Sequence, residues 1–163
     1  MTDPEHVEFR ADDRSAVVAR MAELARDRNG WVNVQPALDP DDAPPPPSRL
    51  FGLFSGRGPD VPIASWVPGE RRRNRVEPTC VGLRHGAGPR AVPLLAEAGH
   101  RVPPEWRVLQ DHRRRGFVAA IPDDSDLDGV LRWLVAASTA LTEVPLTGMW
   151  RAAIYVSSRA RSG

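Results

Sequence analysis

The sequence predicts an α+β domain with a mainly antiparallel sheet. Three observations carry this prediction. Residues 79–156 read as one continuous βαββαβ series, and glycine or proline punctuates the joints between its elements. The series also sets a glycine-rich turn, with Gly86 and Gly88, beside an arginine-rich hairpin, with Arg113, Arg114 and Arg115.

Each element has its own signature. Residues 79–85 are short and partly apolar and stop at Gly86, which makes a strand and a turn. Residues 90–98 place Val92, Leu95 and Ala98 at helical spacing, and Gly99 is a C-cap signal. Pro89 and Pro93 fit only a first helical turn, where amide hydrogens lack partners anyway. Residues 106–112 alternate Trp106, Val108 and Gln110 against Arg107, Leu109 and Asp111. Residues 117–121 follow after Gly116, so the two runs make a hairpin. Asp123, Asp124 and Asp126 form an acidic start that suits a helix dipole. The helix itself carries Leu127, Val130, Leu131, Leu134, Val135, Ser138 and Leu141 along one stripe. Pro145 and Gly148 end that segment, and residues 150–156 close the series as a strand with Trp150, Ala152, Ile154 and Val156 on one face. Right-handed crossovers then give a ferredoxin-like core at about 79–156. Its last strand lies beside its first, and the strand at 117–121 lies on the first strand's other side.

Ahead of the core, Asp12 or Asp13 can cap a helix with Val17, Val18, Met21, Leu24 and Ala25 inward, ending at Asn29 and Gly30. Residues 31–34 and 63–67 read as two extra strands that extend the sheet or cover its other face. One domain over 1–163 follows, with a Pro-rich loop at about 39–60 that contains Pro44, Pro45, Pro46 and Pro47 and favours polyproline conformation. Leu50, Phe51, Leu53 and Phe54 are expected to be buried, since each forgoes about 1.5–3 kcal/mol in water. Exposed together they would form a docking surface.

Composition removes several function classes. The chain has 22 arginines, no lysine and a formal charge of only +1, which argues against a strongly basic nucleic-acid binder. One cysteine excludes an intramolecular disulfide and a cysteine-rich metal site. Asp111 and His112 lack matched ligand spacing with His6, His85 or His100, so neither metal nor cofactor is expected. The run from Glu70 to Arg75 is expected to be a solvated loop. No signal peptide is expected ahead of the first helix, and no apolar run nears the roughly 18 residues of a membrane span. A cytoplasmic bacterial protein is expected.

Three resemblances add to this reading. Arg84, His85 and Gly86 at a strand end resemble the Arg-His-Gly motif of the histidine phosphatase superfamily. The resemblance implies a phosphohydrolase with His85 as nucleophile, Arg84 as phosphate clamp and His112 as proton donor. The sequence departs from that motif at Ala87, where a Glu or Gln is usual, and in the mid-chain position of the motif. Arg115, Gly116 and Phe117 resemble the third strand of an RNA-recognition motif, which implies single-stranded RNA binding. Ala119 replaces the second stacking aromatic, however, and residues 79–85 contain none. Residues 86–90 and 106–112 give the whole chain a similarity to small uncharacterised proteins of high-GC actinobacteria, which implies no activity.

The βαββαβ order predicts where a site would lie. It gathers His85, Gly86, Gly88 and Arg90 with Asp111, His112, Arg113, Arg114 and Arg115 at one end of the sheet, with Thr147, Gly148 and Trp150 close by. The turn leads into a helix N-terminus whose free amides attract anions. The expected ligand is a small phosphate- or carboxylate-bearing molecule or an acidic partner. The plain alternative is that the glycines merely permit a tight turn and the arginines are solvated. No motif brings a second convincing catalytic group, so a non-enzymatic binding or regulatory role is the expectation.

Overall fold

Period-two burial organises this chain. A computed structural model describes residues 3–42, 61–72 and 74–157. Its elements run β1 (Glu5–Arg10), α1 (Ser15–Asp27), β2 (Trp31–Pro36), β3 (Ile63–Val67), β4 (Glu70–Arg72), β5 (Arg75–Glu77), β6 (Thr79–Arg84), α2 (Ala91–Glu97), β7 (Arg107–His112), β8 (Gly116–Ile121), α3 (Leu127–Ala140) and β9 (Met149–Tyr155). The expectation for Leu50, Phe51, Leu53 and Phe54 lies outside the described residues.

Seven strands form one antiparallel sheet in the order β1-β9-β2-β3-β6-β8-β7. The fold class is therefore α+β, as the sequence predicts, and β8 flanks β6 as expected. The ferredoxin-like strand order does not hold. β9 lies between β1 and β2, and the extra strands β2 and β3 separate it from β6. The reason is hydrogen bonding. Residues 31–36 and 63–67 satisfy their backbone groups by pairing with each other and with β9 and β6, so they enter the sheet as a central pair. Both β1 and β2 run antiparallel to β9, and both β6 and β7 to β8. The sheet thus holds two split βαβ units, β1-α1-β2 around β9 and β6-α2-β7 around β8.

One core joins the helices to a single face of this sheet. Val17, Met21 and Leu24 of α1 and Val130, Leu131, Leu134 and Ala137 of α3 pack with Val32, Trp66, Val81, Leu83, Phe117, Trp150 and Ile154 of the strands. The outward residues of the same strands, such as Gln35, Arg151 and Arg84, stay exposed. Trp31 and Tyr155 pair across β2 and β9 on this outer side, with rings stacked 4.7 Å apart. Among the described residues no helix is long and apolar enough to cross a membrane.

The helix ends follow their chemistry with two departures. Arg14, not Asp12 or Asp13, is the N-cap of α1. Asp13 instead accepts bonds from the Ser15 hydroxyl (2.8 Å) and amide (3.4 Å), which hold its carboxyl below the usual range. Arg28 ends α1 in the left-handed region, and Gly30 follows at φ +90, where a Cβ would sit 2.0 Å from the Tyr155 carbonyl oxygen. The run from Glu70 to Arg75, expected as a solvated loop, contributes to the β4–β5 hairpin between β3 and β6.

Candidate functional site

The β7–β8 turn is built by two side chains of β7. His112 Nδ1 accepts from the amides of Arg114 (3.1 Å) and Arg115 (3.2 Å). Gln110 Nε2 donates to the carbonyls of Arg115 and Gly116, both at 3.1 Å. Gly116 sits at φ +83, and a Cβ there would meet the Leu83 carbonyl oxygen at 2.5 Å. Only glycine lets β8 approach β6 this closely. These bonds satisfy the turn's backbone internally. Arg113, Arg114 and Arg115 are left exposed.

A β-bulge decides what Asp111 does. Simple alternation along residues 106–112 puts Asp111 on the side of Arg107. The register shifts between Val108 and Gln110, so Leu109 is the extra residue. Asp111 then pairs with core-facing Phe117, whereas Arg107 pairs with outward Ala120. The carboxylate points to α2 and accepts from the amides of Ala91 (2.8 Å) and Val92 (3.1 Å). This is an N-cap supplied by a neighbouring strand, since the Arg90 side chain at the cap position makes no capping bond. The amides expected to receive an anion are occupied by the protein's own carboxylate.

His85 closes the end of β6. It is 1 % exposed, and among the described residues neither ring nitrogen has a hydrogen-bond partner. Burial lowers its pKa below 6.5, and the nearby Asp111 charge partly opposes the shift. A nucleophilic imidazole must reach its phosphoryl group. This one is sealed in the interior, and His112 is committed to the turn.

The structure therefore gathers most of the expected site residues while changing their roles. Gly88 adopts φ +91, and its carbonyl accepts from Arg113 Nε at 3.4 Å, tying the two loops together. Gly86 is buried, and Arg84 and Arg90 are exposed. Arg84 lies against the turn, since a Cβ on Gly116 would meet its Cα at 3.2 Å. Among the described residues, Arg84, Arg90, Arg113, Arg114 and Arg115 form no ion pair with a carboxylate. Thr147, Gly148 and Trp150 do not join the site. They belong to β9 and its entry, three strand positions from β6, or roughly 14 Å at the usual strand spacing. Trp150 is in the core, and Thr147 Oγ1 donates to the Ala37 carbonyl.

Two clefts lie elsewhere, and the sequence reading missed both. One has a volume of about 480 Å³ and runs between α3 and residues 100–106, with Trp106 and Trp133 in edge contact at 4.8 Å. The other, about 170 Å³, lies at the Thr79 end of β6 beside Trp66 and Asp123. Nothing in the one-dimensional pattern joins residues 66, 79 and 123. No protein-family model matches the chain, and no curated protein or solved structure does so either.

Proposed function

We propose that this protein is a non-enzymatic binding domain whose basic sheet end takes an acidic polypeptide segment. The observation that carries this reading is the set of exposed arginines, 84, 90 and 113–115, without carboxylate partners around one fixed turn. Asp111, the acid within this end, faces inward and is spent on α2. Guanidinium groups bind carboxylates in pairs and in fixed geometry. They come from β6, the start of α2 and the β7–β8 turn, a spread that suits an extended acidic partner better than a single small anion. The helix N-terminus, the natural seat for a small anion, is already filled.

The test is fluorescence anisotropy with a labelled Glu- and Asp-rich peptide across a salt series. Saturable binding that weakens with salt, and is abolished by the pair Arg113→Glu and Arg114→Glu, supports the proposal. Equal binding by wild type and the charge-reversed protein sinks it. Steady turnover of a phosphomonoester, lost in His85→Asn, would replace it with the histidine-phosphatase reading. A salt-dependent shift with single-stranded RNA but not with the peptide would favour the RNA reading.

A further inference from the structure

The outer face of the sheet lacks the composition of a solvated face. The helices join the core on the inner face, so among the described residues no helix covers the outer one. In an antiparallel sheet with one wet side, the outward positions are commonly polar. Here the outward positions of the strands between the two edges, β9, β2, β3, β6 and β8, hold no Asp or Glu. Arg84 and Arg151 are the only charged residues among them. Trp31, Tyr155, Ile63, Val67, Met149 and Val118 stand there as well. The other charges lie on the edge strands, with His6, Glu8 and Arg10 on β1 and Arg107 and His112 on β7. A centre free of acids and carrying aromatic side chains and Met, inside a charged rim, is the anatomy of a protein–protein interface.

The strand register fixes the layout of this face. One row crosses it through Ala153, Asn33, Ser65, Gly82 and Val118, each paired with the next. The Ser65 hydroxyl donates to Asn33 Oδ1 at 2.8 Å within the row. A Cβ on Gly82 would meet nothing closer than the Phe117 carbonyl oxygen at 3.7 Å. The fold thus has room for a side chain there, and glycine weakens a strand interior. Its effect is to let another backbone come close. Ile63, Arg84 and Arg151 lie on one side of the row, and Trp31, Tyr155, Val67 and Cys80 lie on the other.

We propose that a second copy of this chain packs on this face, with the two-fold axis running along that row. The small side chains of the row then meet their own copies, and Ile63 lies over Val67 of the second copy. Neither Arg84 nor Arg151 meets its own copy, so like charges stay apart and no carboxylate is buried at the centre. A face that matches itself under a two-fold is the form of the commonest oligomers. Seven strands about 4.8 Å apart, each of about six residues, give a face of roughly 30 by 20 Å. Its area of roughly 600 Å², before side-chain relief is added, approaches the ~800 Å² per partner of a stable complex.

The test is analytical ultracentrifugation of the whole protein over a concentration series. The mass should rise from 17.9 kDa to twice that value. Gly82→Arg and Ala153→Glu each set a charge on the row and should raise the dissociation constant by about tenfold or more. Leu109→Asp, on the open edge of β7, should leave it unchanged. Arg113 and Arg114 lie off this face in the β7–β8 turn, so reversing both charges should also leave the dimer intact. Cys80, the single cysteine, is half-buried on the same face and reports on the wild type without substitution. Its alkylation rate should fall as concentration rises through the association range. A chain that stays at 17.9 kDa throughout overturns the proposal and assigns the face to a different partner. So does a dimer that persists in both folded row variants, one that Leu109→Asp abolishes, or one in which Cys80 reacts as fast as in the monomer.

Discussion

His85 shows how much a residue's setting decides. In the strand-end reading it is a nucleophile; in the fold it is a buried ring without a partner among the described residues. The sequence contained the residue and its neighbours but not the burial, which arises from strands and loops distant in the chain. Burial has a consequence for stability. As pH falls through about 6.5, the unfolded chain takes up a proton that the folded imidazole refuses, because its folded pKa lies lower. The contribution is thus fully present above about pH 6.5 and is lost as pH falls toward the lowered folded value. Urea titrations between about pH 7.5 and 5.5 should show wild-type stability falling by up to about 1.4 kcal/mol per pH unit at the lower end, and His85→Leu should flatten that slope. Asp111 gives a second expectation. Asp111→Ala strips two amides of α2 of their acceptor and should cost about 1–2 kcal/mol, read as a fall in Tm. Asp111→Asn, which keeps one acceptor oxygen, should cost less.

At the scale of elements, the sequence was most legible where burial follows a simple period. β3 matches its expected range, and α3 carries the expected stripe. β1 was missed, although Val7 and Phe9 alternate with His6, Glu8 and Arg10; its pattern is short and its first residues are polar. The bulge at Leu109 was illegible because period-two reading assumes no inserted residue. The link between helices was equally hidden. Arg14 lies at the start of α1, largely buried, and its guanidinium grips both carboxylate oxygens of Asp128 in α3 at 2.9 and 3.1 Å. It also donates to the Ala11 carbonyl. Arg14→Ala should lower stability by about 1–2 kcal/mol with the urea m-value unchanged. Asp128→Asn should cost less, since that side chain is half exposed and well screened. An equal loss in the two variants would mean that Arg14 contributes through the ion pair alone, not through its buried stem and carbonyl contact.

At the scale of the molecule, the class of fold was legible in the chain but the order of its sheet was not. Local pattern marked most of the strands, though not β1, β4 or β5. Which strands become neighbours was decided by long-range pairing, and inserting β2 and β3 moved Thr147, Gly148 and Trp150 away from the expected site. The pairing β6-β8-β7 survived, and with it the meeting of the glycine turn and the arginine hairpin. The result is a protein of formal charge +1 in which the exposed Arg84, Arg90, Arg113, Arg114 and Arg115 lie at one end of β6 and β8, while Asp123 and Asp124 stand at the other end. Association through that basic end is the central claim. The most direct measurement is a nuclear magnetic resonance titration of the nitrogen-15 labelled protein with an acidic peptide at low salt, mapping each perturbed amide. The account predicts shifts concentrated at residues 84–90 and 113–116, fading as salt is added. Shifts concentrated instead around Trp66 and Asp123, or along α3 and residues 100–106, would contradict it.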